Sequence, residues 1–199
     1  MSNINLHLPI INELILKPFS TKKRRPSWMS KLNFISIVPS SSIDIKCAAK
    51  IDQDGGEGCS HFKNDTIYDG ETQYYWTGIL EGKKIFVASL TVIELETPES
   101  TVEGELGDCF IESVVFLEEW ADWDKAIQIL SFLLVIKNIL LGLNAKRIIA
   151  QDWIMEDFVM NTLLLMGFQK SDQDFLERDD DGYTLIFDVK QNFLNLNLL

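Results

Sequence analysis

Residues 109–151 read CFIESVVFLEEWADWDKAIQILSFLLVIKNILLGLNAKRIIAQ, and this stretch decides the fold. Its first nine residues, 109–117, are mostly β-branched and aromatic and predict a strand. Residues 121–143 predict a helix: Asp124, Gln128, Ser131, Asn138 and Gly142 fall on one narrow stripe at 100° per residue, with apolar side chains around most of the rest. Such a helix packs on a sheet and is touched by neighbours. Gly142 is expected to end it, and RIIAQ at 147–151 is a second strand. The most apolar part, 127–143, is 17 residues long and contains Gln128, Ser131, Lys137 and Asn138. A membrane span needs about 20 apolar residues, so a buried helix is expected and no membrane.

Upstream, 73–80 and 84–95 are β-rich and Glu81-Gly82-Lys83 is a turn between them, which predicts a hairpin. On the second strand Phe86, Ala88, Leu90 and Val92 line one face, while Ile85, Val87 and Ile93 line the other. A strand apolar on both faces lies inside a sheet covered on both sides. Downstream, a short helix is expected over 155–166, closed by Gly167. A strand pair follows over 169–178 and 183–190, joined by Asp179-Asp180-Asp181-Gly182. Asp-Gly is a hairpin turn signal, and the triple Asp lacks the ligand spacing of a calcium loop. The first 72 residues read as a segment of the same domain, followed by a core at 73–199. Residues 13–19 (ELILKPF) are a first strand stopped by Pro18, 33–38 a strand ended by Pro39, and 43–51 either strand or helix.

The 199 residues suit one domain, and 46% hydrophobic content excludes wholesale disorder. No charged start leads into an apolar run with a cleavage site, so no signal peptide is expected. Three cysteines (Cys47, Cys59, Cys109) without framework spacing point to a reducing, cytoplasmic setting. Cys47, Cys59 and His61 do not complete a four-ligand zinc set, and no metal site is expected. Net charge is −12; residues 1–50 hold eight Lys/Arg against two Asp/Glu, a net +6, which leaves −18 for the remainder. That body repels nucleic-acid phosphates and attracts a basic protein partner. The run Lys22-Lys23-Arg24-Arg25 lacks interleaved aromatics and reads as a solvated loop drawn to the acidic body.

The order hairpin, strand, long helix, strand, short helix ending in Gly-Phe, strand pair resembles the GNAT superfamily of acyl-CoA-dependent N-acetyltransferases. Three passages carry the resemblance: IESVVFLEE (111–119), LGLNAKRIIAQ (141–151) and NTLLLMGFQK (161–170). It implies an α/β fold with a mixed, mostly antiparallel sheet and helices on both faces. It also implies that strand 109–117 and strand 147–151 splay apart around the pantetheine arm of acetyl-CoA. The turn before the long helix would present backbone N–H groups to the pyrophosphate, as helix N-termini do. If acyl-CoA binds, Phe116, Leu117, Lys125, Ala126 and Ile127 are the residues the resemblance places beside it.

The chain departs from the family where that ligand would sit. The family's Arg/Gln, two residues, Gly, one residue, Gly/Ala becomes Ala121, Asp122-Trp123, Asp124, Lys125, Ala126, and Ala126 alone fits. Glu118, Glu119, Asp122 and Asp124 crowd the entry, although acidic residues in a first turn also stabilise the helix dipole. The tyrosine that many members carry on the short helix aligns with Leu163, and no residue from 161 to 166 is a tyrosine. Glu112 is the best candidate base; the plainer reading makes it a solvent-facing or ion-paired position on its strand. The leading reading is therefore a pseudo-acetyltransferase, an acidic module that engages and regulates a basic partner, with no cofactor expected. The alternative is an active acetyl-CoA-dependent N-acetyltransferase with a non-standard phosphate site helped by Lys125. A third reading, an acidic mimic of nucleic acid, rests on the body charge alone.

Overall fold

The computed structural model describes residues 35–54, 62, 70–95, 104–117, 125–151, 154–171 and 183–192. The expected strand at 13–19, the basic run and the Asp179–Asp181 turn lie outside them. In chain order the elements are β1 (Ile35–Pro39), α1 (Ser42–Asp54), β2 (Glu71–Leu80), β3 (Lys83–Ile93), β4 (Asp108–Phe116), α2 (Lys125–Gly142), β5 (Arg147–Gln151), α3 (Asp157–Met166), β6 (Gln169–Ser171) and β7 (Thr184–Asp188). The strands form one sheet in the order β1-β2-β3-β4-β5-β7-β6. Every neighbouring pair is antiparallel except β4 with β5. The expected mixed, mostly antiparallel α/β architecture is the one observed.

β3 is central and buried from Ile85 to Ile93, as its two apolar faces require. Helices α2 and α3 cover one face: Leu130, Leu133, Ile136 and Leu163 pack with Phe86, Leu90, Ile111 and Phe187. Helix α1 covers part of the other through Ala48, which packs with Phe62, Val87 and Val115. α2 is the one described helix long and apolar enough to cross a membrane, but its Ile127, Leu130 and residues 132–136 are buried in this core. Its polar residues turn inward on the helix itself: Ser131 Oγ donates to the Ile127 carbonyl and Asn138 Nδ2 to that of Leu134, both at 2.8 Å.

The ambiguous segment 43–51 is helix, and its N-terminus explains why. Ser41 N–H donates to Asp44 Oδ2 while Asp44 N–H donates to Ser41 Oγ, both at 3.3 Å, a reciprocal cap for two otherwise orphan donors. Asp44 also accepts from Lys84 Nζ at 2.6 Å, which fastens α1 to the start of β3. Burial pushes the Asp44 carboxyl up, but the hydrogen bonds from Lys84 and Ser41 outweigh it and hold the group below its ordinary value.

Several expectations need correction. The hairpin turn is the two residues Glu81-Gly82, both at positive φ, and Lys83 already belongs to β3. Ile85 does not alternate to the face of Val87. Ile79 faces Lys84 and Gly78 faces Phe86, so Ile85 is an extra residue in the ladder and packs with Phe86 on the α2 side. α2 does end on Gly142, as expected, but the left-handed residue that turns the chain after it is Asn144 at φ 45° and not the glycine. The short helix starts after Glu156, not at Met155. It ends as foreseen on Gly167, at φ 108°, with Gly167 N–H donating to the Leu164 carbonyl and Phe168 N–H to that of Leu163. The last strand stops at Asp188, because its Oδ1 accepts from Gln191 N–H at 2.6 Å and starts a helical turn there.

Candidate functional site

β4 and β5 are held together at one end only. Their parallel register runs from Asp108 opposite Arg147 to Ile111 opposite Ala150 and no further. β4 nevertheless stays paired to β3 as far as Phe116. Among the described residues, no strand pairs with the β5-side edge of β4 from Glu112 to Phe116, so a gap opens with backbone donors and acceptors along it.

The cause is a bulge. Ser89 faces Ser113 and Leu90 faces Ile111, which leaves Glu112 as the extra residue of β4. A bulge bends its strand and sharpens its twist, which carries β4 away from β5. It also changes the faces. Ile111 and Val114 both pack on the α2 side, so Glu112 and Ser113 together occupy the α1 side. Glu112 is thus half-buried at the point where the gap begins, rather than an ordinary alternating position.

Around it lies a polar band between two apolar clusters on the α1 face. Val87 and Val115 mark one cluster; Ile93, Phe110 and Ile149 mark the other. Between them sit buried Ser89, Thr91 and Ser113, with Tyr75, whose hydroxyl donates to Gln73 Oε1 at 2.7 Å. Burial, and then the field of the Glu112 carboxylate, raises the Tyr75 phenol above its ordinary value, so it stays protonated at neutral pH. Across the gap β5 ends on Gln151, whose Nε2 is buried without a hydrogen-bond partner.

The structure distributes the sequence-derived candidates unevenly. Phe116 ends β4 and Leu117 follows it: the Phe116 ring is tilted against that of Phe86 with centroids 6.4 Å apart, and Leu117 N–H donates to the Ile85 carbonyl at 3.0 Å. Lys125 and Ala126 open α2, and Lys125 Nζ rests 5.1 Å from the Phe158 ring centroid of α3. Ile127 is core, so only its backbone is available to a ligand. Residues 118–124, with the four acidic side chains, lie outside the described residues. Leu163, at the position of the family's tyrosine, is fully buried in the core. Sequence reasoning missed Tyr75, Ser113 and Gln151. The alternation of a strand in RIIAQ, which puts Gln151 on the face of Ile149, is the signal that could have found the last.

No family model and no curated protein matches the sequence. Solved structures do match by shape. An aminoglycoside acetyltransferase, AAC(6')-Ib, solved with coenzyme A, has a TM-score of 0.58 at 11% identity over 82% of this chain and 99% of its own. The spermidine N-acetyltransferase SpeG of Vibrio cholerae has a TM-score of 0.56 at 9% identity, over 83% and 99%. With the one-ended β4–β5 pairing that the resemblance implied and this likeness together, the chain has the fold of the GNAT superfamily of N-acetyltransferases.

Proposed function

We propose that the chain is an acyl-CoA-dependent N-acyltransferase that takes the acyl-pantetheine arm between β4 and β5. The observation that carries this is the unpaired edge of β4 from Glu112 onward. An open strand edge binds an extended, amide-bearing ligand as an added strand, and pantetheine is such a ligand. When bound, acetyl-CoA supplies the activated acyl group as a thioester. Glu112, on the α1 side where the bulge turns it, takes the proton from an acceptor ammonium, and the freed amine attacks the acyl carbon. The N–C bond forms as the C–S bond breaks, and the amine's second proton goes by way of solvent to the departing thiolate. α3 offers no tyrosine for that last transfer, so solvent takes that role. The acceptor lies against the polar band of Gln73, Tyr75 and Ser113, where Glu112 favours a cationic amine.

A second reading keeps the fold and drops the chemistry: a pseudo-acetyltransferase whose acidic body holds a basic protein. Its support is the buried Leu163 in place of a tyrosine and the acidic residues at Glu118, Glu119, Asp122 and Asp124. Calorimetry with acetyl-CoA at low salt separates the two. Any carboxylate about 5 Å from a pyrophosphate charge is repelled by roughly 3 kcal/mol at an effective dielectric of 20, and four of them precede α2 in the sequence. Binding by the native chain is therefore expected to be weak, and Ala121→Arg, Asp122→Gly, Asp124→Gly together are expected to tighten it at least about tenfold. Binding of acetyl-CoA that Glu112→Gln keeps, together with turnover that it loses, supports the enzyme. Absence of binding in both proteins removes the enzyme reading and leaves the partner-binding one.

A further inference from the structure

We infer that Gln151 is a positioning residue for the ligand arm, donating from its carboxamide to a carbonyl oxygen of the acyl-pantetheine as it enters the gap. This rests on the acyl-CoA reading above. Gln151 is the last residue of β5, one position beyond Ala150, the last residue of β5 that pairs with β4. On its other side it is in register with Thr184 of β7, so its backbone is fixed by the sheet. Its side chain shares the face of Ile149, which packs with Ile93, Phe110 and Ile186 and offers no acceptor.

Among the described residues, Gln151 Nε2 is the one buried side-chain nitrogen or oxygen without a partner. Every other described buried polar side chain has an outlet, as Ser131, Thr162 and Asp108 illustrate. An amide nitrogen that solvent does not reach and no protein group satisfies costs free energy relative to an apolar group in its place, although Gln151 as a whole is only half-buried. It is retained where something that binds completes it. What arrives at the end of β5 under the acyl-CoA reading is a chain of amide and thioester carbonyls, neutral acceptors that match a neutral N–H donor. The match is to the arm and not to the nucleotide, which carries its charge elsewhere.

The experiment compares the native chain with Gln151→Leu and Gln151→Met, using acetyl-CoA and adenosine 3′,5′-diphosphate, which has the nucleotide and not the arm. Both variants keep the volume and lose the donor. The expected result is that acetyl-CoA binds about 5- to 30-fold more weakly to both, the loss of one hydrogen bond to a ligand. Binding of the nucleotide fragment is unchanged. The free variants melt at or above the native temperature, since an unmet polar group has been removed. Unchanged acetyl-CoA affinity in the variants overturns the assignment of Gln151 and leaves the acyl-CoA reading standing. A fall of more than about 3 °C in both melting temperatures also overturns it, because it identifies a structural partner such as a buried water. No binding of acetyl-CoA by the native chain overturns both.

Discussion

Asp108 and Arg147 face each other across β4 and β5 and are joined by two hydrogen bonds, Nε to Oδ1 at 2.7 Å and Nη2 to Oδ2 at 2.5 Å. The Asp108 side chain is 1% exposed and that of Arg147 19%. Hydrogen bonding to Asp108 raises the guanidinium further above its already high ordinary value, so Arg147 stays charged. The fork closes one end of the strand pair that opens at Glu112. It anchors the closed end of the pair, while the bulge at Glu112 sets where the gap starts.

Breaking that fork is expected to be costly. Asp108→Asn leaves a largely buried guanidinium with the carboxylates of Glu105, at 3.5 Å, and Asp188 as its nearby anions. A loss of about 3 kcal/mol is expected, the lower end for a broken buried pair because Glu105 compensates in part. Urea denaturation measures it. Asp108→Asn combined with Arg147→Met is expected to recover part of the loss, since no uncompensated charge then remains.

Acid is expected to loosen α1 before the rest. Asp44 has a folded pKa below its unfolded value, so its contribution is present above the unfolded value and is lost as pH falls through the folded one. The window lies below about pH 4. Thermal melts of the native chain should lose stability there, and those of Asp44→Asn should be less stable at neutral pH and flatter across the same window. Equal slopes would remove Asp44 from the acid transition.

Gly78 is occupied by glycine for a steric reason. A Cβ there would overlap the ring of Phe86, which is fully buried in β3 opposite it. Gly78→Ala is expected to destabilise by about 1–3 kcal/mol, the range for overpacking a filled core. Adding Phe86→Leu should make the double variant less destabilised than the sum of the two single changes, a coupling that a double-mutant cycle reads directly.

The two described cysteines should differ sharply in reactivity. Cys47 is exposed on α1, while Cys109 is fully buried between β3 and β5. Burial pushes the Cys109 thiol far above its ordinary value, with the carboxylates of Glu112 and Asp108 adding to the effect. Alkylation of Cys109 in native conditions should proceed only through opening of the sheet and follow its stability in urea. Rapid alkylation of Cys109 at neutral pH would contradict the central placement of β4.

Much of this was legible in the sequence, for a local reason. The alternation of β3, the apolar surface of α2 and the Gly167 stop are written within single segments, by periods of 2 and 3.6 and by a glycine that takes positive φ. Boundaries were less legible where a neighbour decides them. Asp188 ends β7 by capping a turn, and the Ser41–Asp44 cap settles a segment whose composition fits strand or helix.

The sequence by itself determined the order of elements, the buried strand and helix, and the departures at Ala121, Asp124 and Leu163 from the family's pattern. Only the tertiary structure decided that Glu112 is a bulge, because IESVVF alternates equally well in any register and the extra residue exists only against Ser89 and Leu90 of β3. It also decided that β4 and β5 part after Ile111, that Gln151 ends there with an unmet amide, and that Lys84 reaches Asp44 across forty positions of chain. These are pairings between distant segments. Their choice depends on which surfaces bury together and which polar groups find partners, and no period within one segment carries that information.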